Sequence, residues 1–245
     1  MIRGLYTAAS AMVLGDTQMN VIAHNLANAS TNGFYRQLLI QQGSGGQEVQ
    51  RNDGTRTVPI GDLATAVIAE ELFVDTSQGS LIETGNVFDL AIEGEGFFAA
   101  RTPRGIRYTR CGALALSPEG SLVTEQGYHV QGLNGDIQLE KVEFSVSPSG
   151  EIFQEDLIDK LQIVRIPREA LLAEGHSFYA LKSMEGVELA EDCMVVQGTL
   201  EQTNVSVIEE MVRMISAVRA YETAQRLITA QDEVLGFAVE IGKVS

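Results

Sequence analysis

Cys111 and His129 could act as a nucleophile and its base only if the β domain brings them together. That chemistry needs the two within hydrogen-bond reach and a third group to orient the imidazole. Neither a helix N-terminus nor an orienting partner lies nearby in sequence. The carboxylate groups Glu93/Glu95 and Glu155/Asp156/Asp159 have the composition of a glycosidase acid–base pair. Such pairs work in apolar clefts that raise one pKa. These sit among turn residues without aromatic neighbours, in a chain with no Trp, and are read as a solvated acidic face. Arg101, Arg104, Arg107 and Arg110 recur every three residues, which scatters them over both faces of a strand pair, where side chains alternate. They are expected to pair with carboxylates. His24, on the polar side of an N-terminal helix, is read as a surface or interface hydrogen-bonding group. The run Gly43-Ser44-Gly45-Gly46 lacks the Lys-Ser/Thr of a phosphate loop and is read as a flexible turn. No GxSxG, HExxH or dinucleotide fingerprint occurs. The expectation is a protein without catalytic residues, cofactor or metal.

The chain's own organisation points to assembly instead. Leu5, Met12, Met19 and Leu26 fall seven residues apart, with Ala8, Ile22 and Ala29 between them. A seven-residue apolar repeat keeps one stripe of a helix turned to a partner helix. The partner is at the far end. Met211, Met214, Val218, Tyr221, Gln225, Ile228, Asp232, Leu235 and Val239 alternate three and four apart. A second row, Ala217, Ala220, Ala224, Leu227, Gln231, Val234, Ala238 and Ile241, lies on an adjacent face. One row serves a hairpin of two helices. Two rows imply further neighbours, which other copies of the chain would supply.

The formal charge of −16 is concentrated in the middle. Residues 41–198 carry 11 basic and 25 acidic side chains, while both ends are nearly neutral. Nucleic acid is an improbable partner, because no segment offers the positive field that phosphates require. No run of about 18 apolar residues exists to span a membrane. Thr7, Ser10, Asp16, Thr17, Gln18 and Asn20 interrupt any secretory h-region, so export without a cleaved leader is expected. Cys111 and Cys193 are read as two buried thiols.

In order along the chain, a helix closes near Asn28 at the polar stop Ala29–Gly33, and an extended piece Gln37–Gln42 follows. Strands are expected at Ala66–Asp75, Ser80–Glu83, Leu90–Glu93, Gly96–Arg101, Ile106–Arg110, Leu114–Leu116, Leu122–Thr124, His129–Gln131, Val142–Val146, Ile152–Phe153 and Gln162–Arg165. Turns such as Pro103-Arg104-Gly105 and Asn134-Gly135 separate them. A helical turn is expected at Ala170–Glu174, and Asn204 or Ser206 is placed to cap the last helix. The fold class is α+β: N- and C-terminal helices paired as a coiled coil, flanking an inserted antiparallel β domain, barrel- or sandwich-like. The expected division is a helical assembly domain (1–33 with 204–245), a connecting region (34–79 with 184–203) and a β-rich outer domain (80–183).

Several stretches resemble the rod proteins of the bacterial flagellar basal body. Gly4–Met12 looks like the family's opening. Asn25-Leu26-Ala27-Asn28 followed by Thr31-Asn32-Gly33-Phe34 is similar to its NNLAN…T-GF signature, with His24 in place of the first Asn. Thr84–Phe98 resembles TGNPLDLAIEGDGFF, and Tyr108-Thr109-Arg110-Cys111-Gly112 its YTRxG turn. Leu200–Val212 resembles LExSNVDxVxEMV, and Arg219-Ala220-Tyr221-Glu222 the RAYE element. The matches cover both termini and much of residues 80–132.

The resemblance implies a structural subunit that is exported unfolded by the flagellar type III apparatus, polymerises helically with itself and adjoins other rod proteins. Its paired terminal helices would form an inner tube that orders on assembly, with the β domain outside. The implied self-assembly residues are Leu5, Met12, Met19, Ile22, Leu26, Asn25 and Asn28 at the N-terminus. At the C-terminus they are Met211, Met214, Val218, Tyr221, Leu227, Ile228, Val234 and Leu235. The distal rod type usually carries an extended loop after the first helix, so the short glycine run favours the proximal type. A distal rod or hook-type segment, or a short rod paralogue of the same family, is the alternative, and a secreted hydrolase using a carboxylate pair the remote one.

Overall fold

The computed structural model describes residues 2–44, 47–52, 57–63, 66–175, 177–183, 186–190 and 192–243. A helix α1 (Ile2–Ala27) opens the chain and a helix α2 (Val207–Lys243) closes it, with 21 strands between them among the described residues. The chain divides into two compact units. The first comprises Met1–Leu26, Gln37–Phe73 and Val207–Ser245; the second comprises Ala27–Arg36 and Val74–Ser206.

In the first unit, α1 gives way to a ribbon of four strands: β1 (Gln37–Ser44), β2 (Gln47–Asn52), β3 (Thr57–Leu63) and β4 (Ala66–Val74). β1 pairs with β4, and β2 with β3 in an antiparallel ladder from Gln47↔Leu63 to Asn52↔Thr57. The sequence expectation ended the first extended piece at Gln42 and placed no strand between there and Ala66. β1 instead runs through Gly43, and β2 and β3 fill the gap; the tip glycines Gly45 and Gly46 lie outside the described residues. Backbone pairing across a ribbon does not require apolar alternation, so β2, reading Gln-Glu-Val-Gln-Arg-Asn, left no periodic signal.

The second unit is an antiparallel sheet domain. After short strands β5 (Leu81–Glu83) and β6 (Leu90–Glu93), β7 (Phe97–Thr102) and β8 (Gly105–Thr109) form its central hairpin, turning at Pro103-Arg104 where Gly105 has φ +101°. The main sheet runs Leu171–Gly175, Phe178–Leu181, β8, β7, His129–Gly132, Leu122–Thr124, Leu114–Leu116. It does not close. One edge of β7 is shared by two strands: Ala100 and Arg101 pair with Val130 and His129, while Phe97 and Phe98 pair with Val164 and Ile163. The sheet therefore branches rather than curling into a barrel, and the expected barrel is corrected to an open sheet.

β7 reads Phe-Phe-Ala-Ala and is buried on both faces. Phe98 joins one core with Leu90, Ile92, Leu122, Ile137 and Ile152, while Phe97 and Ala99 join a second with Tyr35, Tyr108, Leu171 and Tyr179. Period-2 side-chain alternation sends neighbours to opposite faces, so one sheet carries two cores. The expected helical turn at Ala170–Glu174 is a strand, preceded by one 3-10 turn at Arg168–Ala170. Strands at Leu157–Lys160, Phe178–Leu181, Met194–Gln197 and Thr199–Glu201 were not expected. All are short; Leu157–Lys160 and Phe178–Leu181 pair with the strands just before them, whereas Met194–Gln197 and Thr199–Glu201 find partners about 100 residues away.

The segments that lead to the two helices lie side by side in this unit. Gly33 N donates to Glu201 O (2.8 Å), and Arg36 N to Asn204 Oδ1 (2.8 Å). Asn204 Nδ2 donates to the Asp75 and Ser77 carbonyls, so its side chain ties three segments together rather than capping α2, which begins just after Ser206. Gly33 has φ +64°, and a Cβ there would run into the Cys111 backbone; only glycine fits. Beneath them Arg110 and Glu201 form an ion pair with side chains 1% and 0% exposed. Arg110 also donates to the Ile92, Gly94 and Gly96 carbonyls, and Glu201 Oε1 accepts from Gly79 N at 3.0 Å.

Candidate assembly surface

α1 and α2 meet at three points within the first unit. A Cβ added at Gly4 would strike the Gln231 amide, one at Gly15 would lie 3.4 Å from Tyr221 Cβ, and Asn25 Nδ2 donates to Glu210 Oε2 at 3.3 Å. Partners descend along α2 as positions ascend along α1, so the helices run antiparallel. The inward residues of α2 are Glu210, Met214, Ala217, Tyr221, Ala224, Ile228, Gln231 and Leu235, each buried or half-buried. Their spacing alternates four and three. This single seam takes one member of each expected row in turn. Small residues let the helices approach: Ala8, Gly15, Ala217 and Ala224 are the buried ones.

Asn25 anchors the end of this contact. It is buried, its Nδ2 donates to Gln37 O (2.8 Å), and its Oδ1 accepts from Gln37 N (2.9 Å). One amide thus satisfies both backbone groups of the first residue of β1 while reaching Glu210. Glu209 and Glu210 stand in the first turn of α2, where the helix dipole favours negative charge. Glu210 is nevertheless 1% exposed, its Oε1 has no hydrogen-bond partner, and Arg213 Nε lies 3.9 Å away.

Of the residues the resemblance implies for assembly, Ile22 and Asn25 are buried. Leu5, Met12, Met19 and Leu26 are half-buried along the edge of the seam, and Asn28, half-buried, accepts a hydrogen bond from Thr31 Oγ1. Met214, Tyr221, Ile228 and Leu235 lie on the seam, whereas Met211, Val218, Leu227 and Val234 are exposed. Glu210, Gln37 and the small residues Ala8, Gly15, Ala217 and Ala224 were missed. Reading Met214-Ala217-Tyr221-Ala224-Ile228 as one row would have found the alanines; nothing local marks Glu210 as buried.

The residues with chemical potential are dispersed. Arg101 pairs with Asp136, and Arg107 donates from Nε to Glu174 Oε2 at 2.7 Å, as the expected carboxylate pairing required. Glu93, Glu95, Glu155 and Asp156 are exposed, while Asp159 is buried and accepts from Asn134 Nδ2 at 2.8 Å. Cys111 and Cys193 are free thiols whose pKa values burial pushes up. Among the described residues no group of His, Cys, Asp and Glu has metal-site geometry, and no helix is long and apolar enough to cross a membrane.

With the seam formed, α2 still exposes Met211, Ile215, Val218, Leu227, Val234 and Phe237. Residues 5–34 match the family described as flagella basal body rod protein, residues 91–154 the flagellar hook protein FlgE/F/G D1 domain, and residues 196–241 the flagellar basal body rod FlgEFG protein C-terminal family. The chain is 33% identical to the flagellar basal-body rod protein FlgG of Borreliella burgdorferi over 97% of its length and 98% of the relative's. It is 32% identical to FlgF of Rhizobium meliloti (97% and 96% covered), and 29% identical to FlgF of Caulobacter vibrioides over the whole of both. The chain belongs to the flagellar basal-body rod protein family and is a structural component of the basal body. FlgF and FlgG relatives match alike.

Proposed function

We propose that this rod subunit polymerises with itself in a helical array through α1 and α2, paired as a coiled coil, and transmits torque without turning over any substrate. The observation that carries the reading is apolar surface left over on α2. With the seam already formed, Met211, Ile215 and Val218 remain 50%, 54% and 37% exposed, and Leu227, Val234 and Phe237 remain 48%, 53% and 65% exposed. An apolar face of this size marks an interaction site. The two sets lie on different flanks, which suits a contact between unlike patches that propagates instead of closing on itself. The large seam residues of α2, Met214, Tyr221, Ile228 and Leu235, are only half-buried, which supports completion of helix order on assembly.

In this reading residues 1–33 and 204–245 form the assembly domain, 34–79 and 184–203 connect it, and 80–183 form the outer β domain. Leu5, Met12, Met19 and Leu26 join the exposed members of α2 as contacts to neighbouring copies. The subunit crosses the periplasm as part of the rod, adjoins other rod proteins, and is exported by the flagellar type III apparatus. On the sequence alone the short glycine run favours the proximal rod type; the ribbon β1–β4 is instead an extension after the first helix, the feature the resemblance implies for the distal type. Complementation of strains lacking either member would separate the two.

Light scattering and circular dichroism on the full chain, over a concentration series, test the main reading. The expected result is a mass that grows without a fixed endpoint, with helix signal rising in step. Ile228→Asp should prevent growth and leave the β signal intact. A small oligomer of constant mass, its helix signal independent of concentration, would overturn it.

A further inference from the structure

We infer that the flank of α2 bearing Met211, Ile215 and Val218 in one copy seats in a pocket on the opposite flank of α2 in the next copy. The inference rests on the polymer reading and names the two halves of one of its contacts. The pocket, about 420 Å³, opens in the first unit where Val21 and Ile22 of α1, Leu38 of β1, and Ala217 and Ala220 of α2 meet. Its wall includes Glu210, whose buried Oε1 lacks a hydrogen-bond donor. A buried carboxylate oxygen in that state requires a donor to be brought to it.

Helical geometry sets where the two surfaces point. At about 100° per residue, Met211, Ile215 and Val218 lie roughly 100–160° to one side of the buried Ala217, whereas Ala220 and Ser216, which line the pocket, lie roughly 60–100° to the other. The projecting side chains and the pocket occupy the same turns of α2, Met211–Val218 against Glu210–Ala220. They face away from each other, so one partner cannot fill both, and a twofold dimer is excluded as the complete contact. A second copy placed alongside fills one and leaves the other open, and the chain of contacts continues.

Charge selects the same occupant. Arg219 follows Val218 at the outer edge of the projecting flank, is exposed, and has no ion pair among the described residues. Glu210 Oε1 has the Arg213 guanidinium at 3.9 Å but no hydrogen bond, and the Arg219 guanidinium of the next copy is placed to donate one. A second copy therefore brings three apolar side chains and a hydrogen-bond donor to a pocket whose wall combines Val21, Ile22, Leu38 and Ala217 with the Glu210–Arg213 pair.

Two full-length variants test this. Ile215→Asp removes the projection and keeps the pocket; Ala220→Trp blocks the pocket and keeps the projection. Each alone should raise the critical concentration for growth roughly thirty-fold or more, a hot-spot loss. Mixed in equal amounts they should form a dimer and stop, because one good projection and one good pocket remain. A chain carrying both Ser216→Cys and Val218→Cys should give a ladder with a short bis-maleimide in the polymer, and neither single variant should. Arg219→Glu should also raise the critical concentration, and Arg219→Lys should restore it. If the parent polymerises and both blocking variants do too, or if the double-cysteine polymer gives no ladder, the inference is wrong and the polymer reading survives. If the parent does not polymerise, both fall.

Discussion

Arg110→Met should destabilise the β unit by about 4 kcal/mol. The substitution keeps the apolar stem and deletes a guanidinium whose side chain is 1% exposed. It leaves Glu201, 0% exposed, with the Gly79 N–H but without its counter-charge. Removing one partner of a buried pair costs about 3–5 kcal/mol. The Ile92, Gly94 and Gly96 carbonyls lose their Arg110 donor as well, which places the expected cost above the lower end of that range. For a unit of about 140 residues, roughly 3 °C per kcal/mol converts this to a fall of about 12 °C in Tm. The assay is thermal unfolding of the full chain, kept dilute and followed by near-ultraviolet circular dichroism. The chain has no Trp, and Tyr35, Tyr108, Tyr128 and Tyr179 lie in the β unit, so the tyrosine signal reports that unit. The double variant Arg110→Met/Glu201→Leu removes both charges and should cost well below the sum of the two single variants, since an apolar replacement of a buried pair is close to neutral. A single-variant fall under about 3 °C, or strict additivity in the double, would refute a coupled buried pair.

Alkaline pH should unfold the same unit. Burial, above all, pushes the Tyr35 and Tyr179 phenols far above their usual 10.0. The folded state then holds protons that the unfolded state has lost, so this stability is complete below about pH 10 and falls above it by about 1.4 kcal/mol per pH unit per tyrosine. Burial raises the Tyr108 pKa as well, so Tyr179→Phe should remove only its own share, about 1.4 kcal/mol per pH unit, from the slope in urea titrations between pH 10 and 11.5. Asp75 gives the opposite sign: burial opposes its charge, but hydrogen bonds from Ser77 and Arg36 outweigh that and hold its pKa below 3.8. Its contribution is present at neutral pH and should fade as pH falls below that value, more weakly in Arg36→Met. Asn25→Ala strips both backbone groups of Gln37 of their partner and should cost about 2–3 kcal/mol, read as faster hydrogen exchange at Gln37 and loss of polymer growth. Gly33→Ala combines a left-handed φ with a clash against the Cys111 backbone. It should cost at least about 2 kcal/mol in the same tyrosine-detected melt; an unchanged Tm would show that the segment can shift.

The two long helices, most of the strands from Leu81 to Arg165 and the family were legible along the chain, because period, turn chemistry and motif are local properties. β2 and β3 were not, because backbone pairing in a polar ribbon leaves no apolar alternation. Nor were Met194–Gln197 and Thr199–Glu201, short strands specified by distant partners. The sequence by itself determined that the ends of this protein are amphipathic helices with more apolar positions than one partner can cover. Only the tertiary structure decided which positions face inward. The seam follows the closest approach of two backbones, and Ala8, Gly15, Ala217 and Ala224 permit that approach where Leu5, Met12 and Val218 would hold the helices apart. Packing sets small residues against large ones, as Gly15 lies against Tyr221, and that selection depends on both helices at once. The burial of Glu210 beside an open pocket has the same origin: β1, α1 and α2 converge on it, and no one of them encodes the convergence alone.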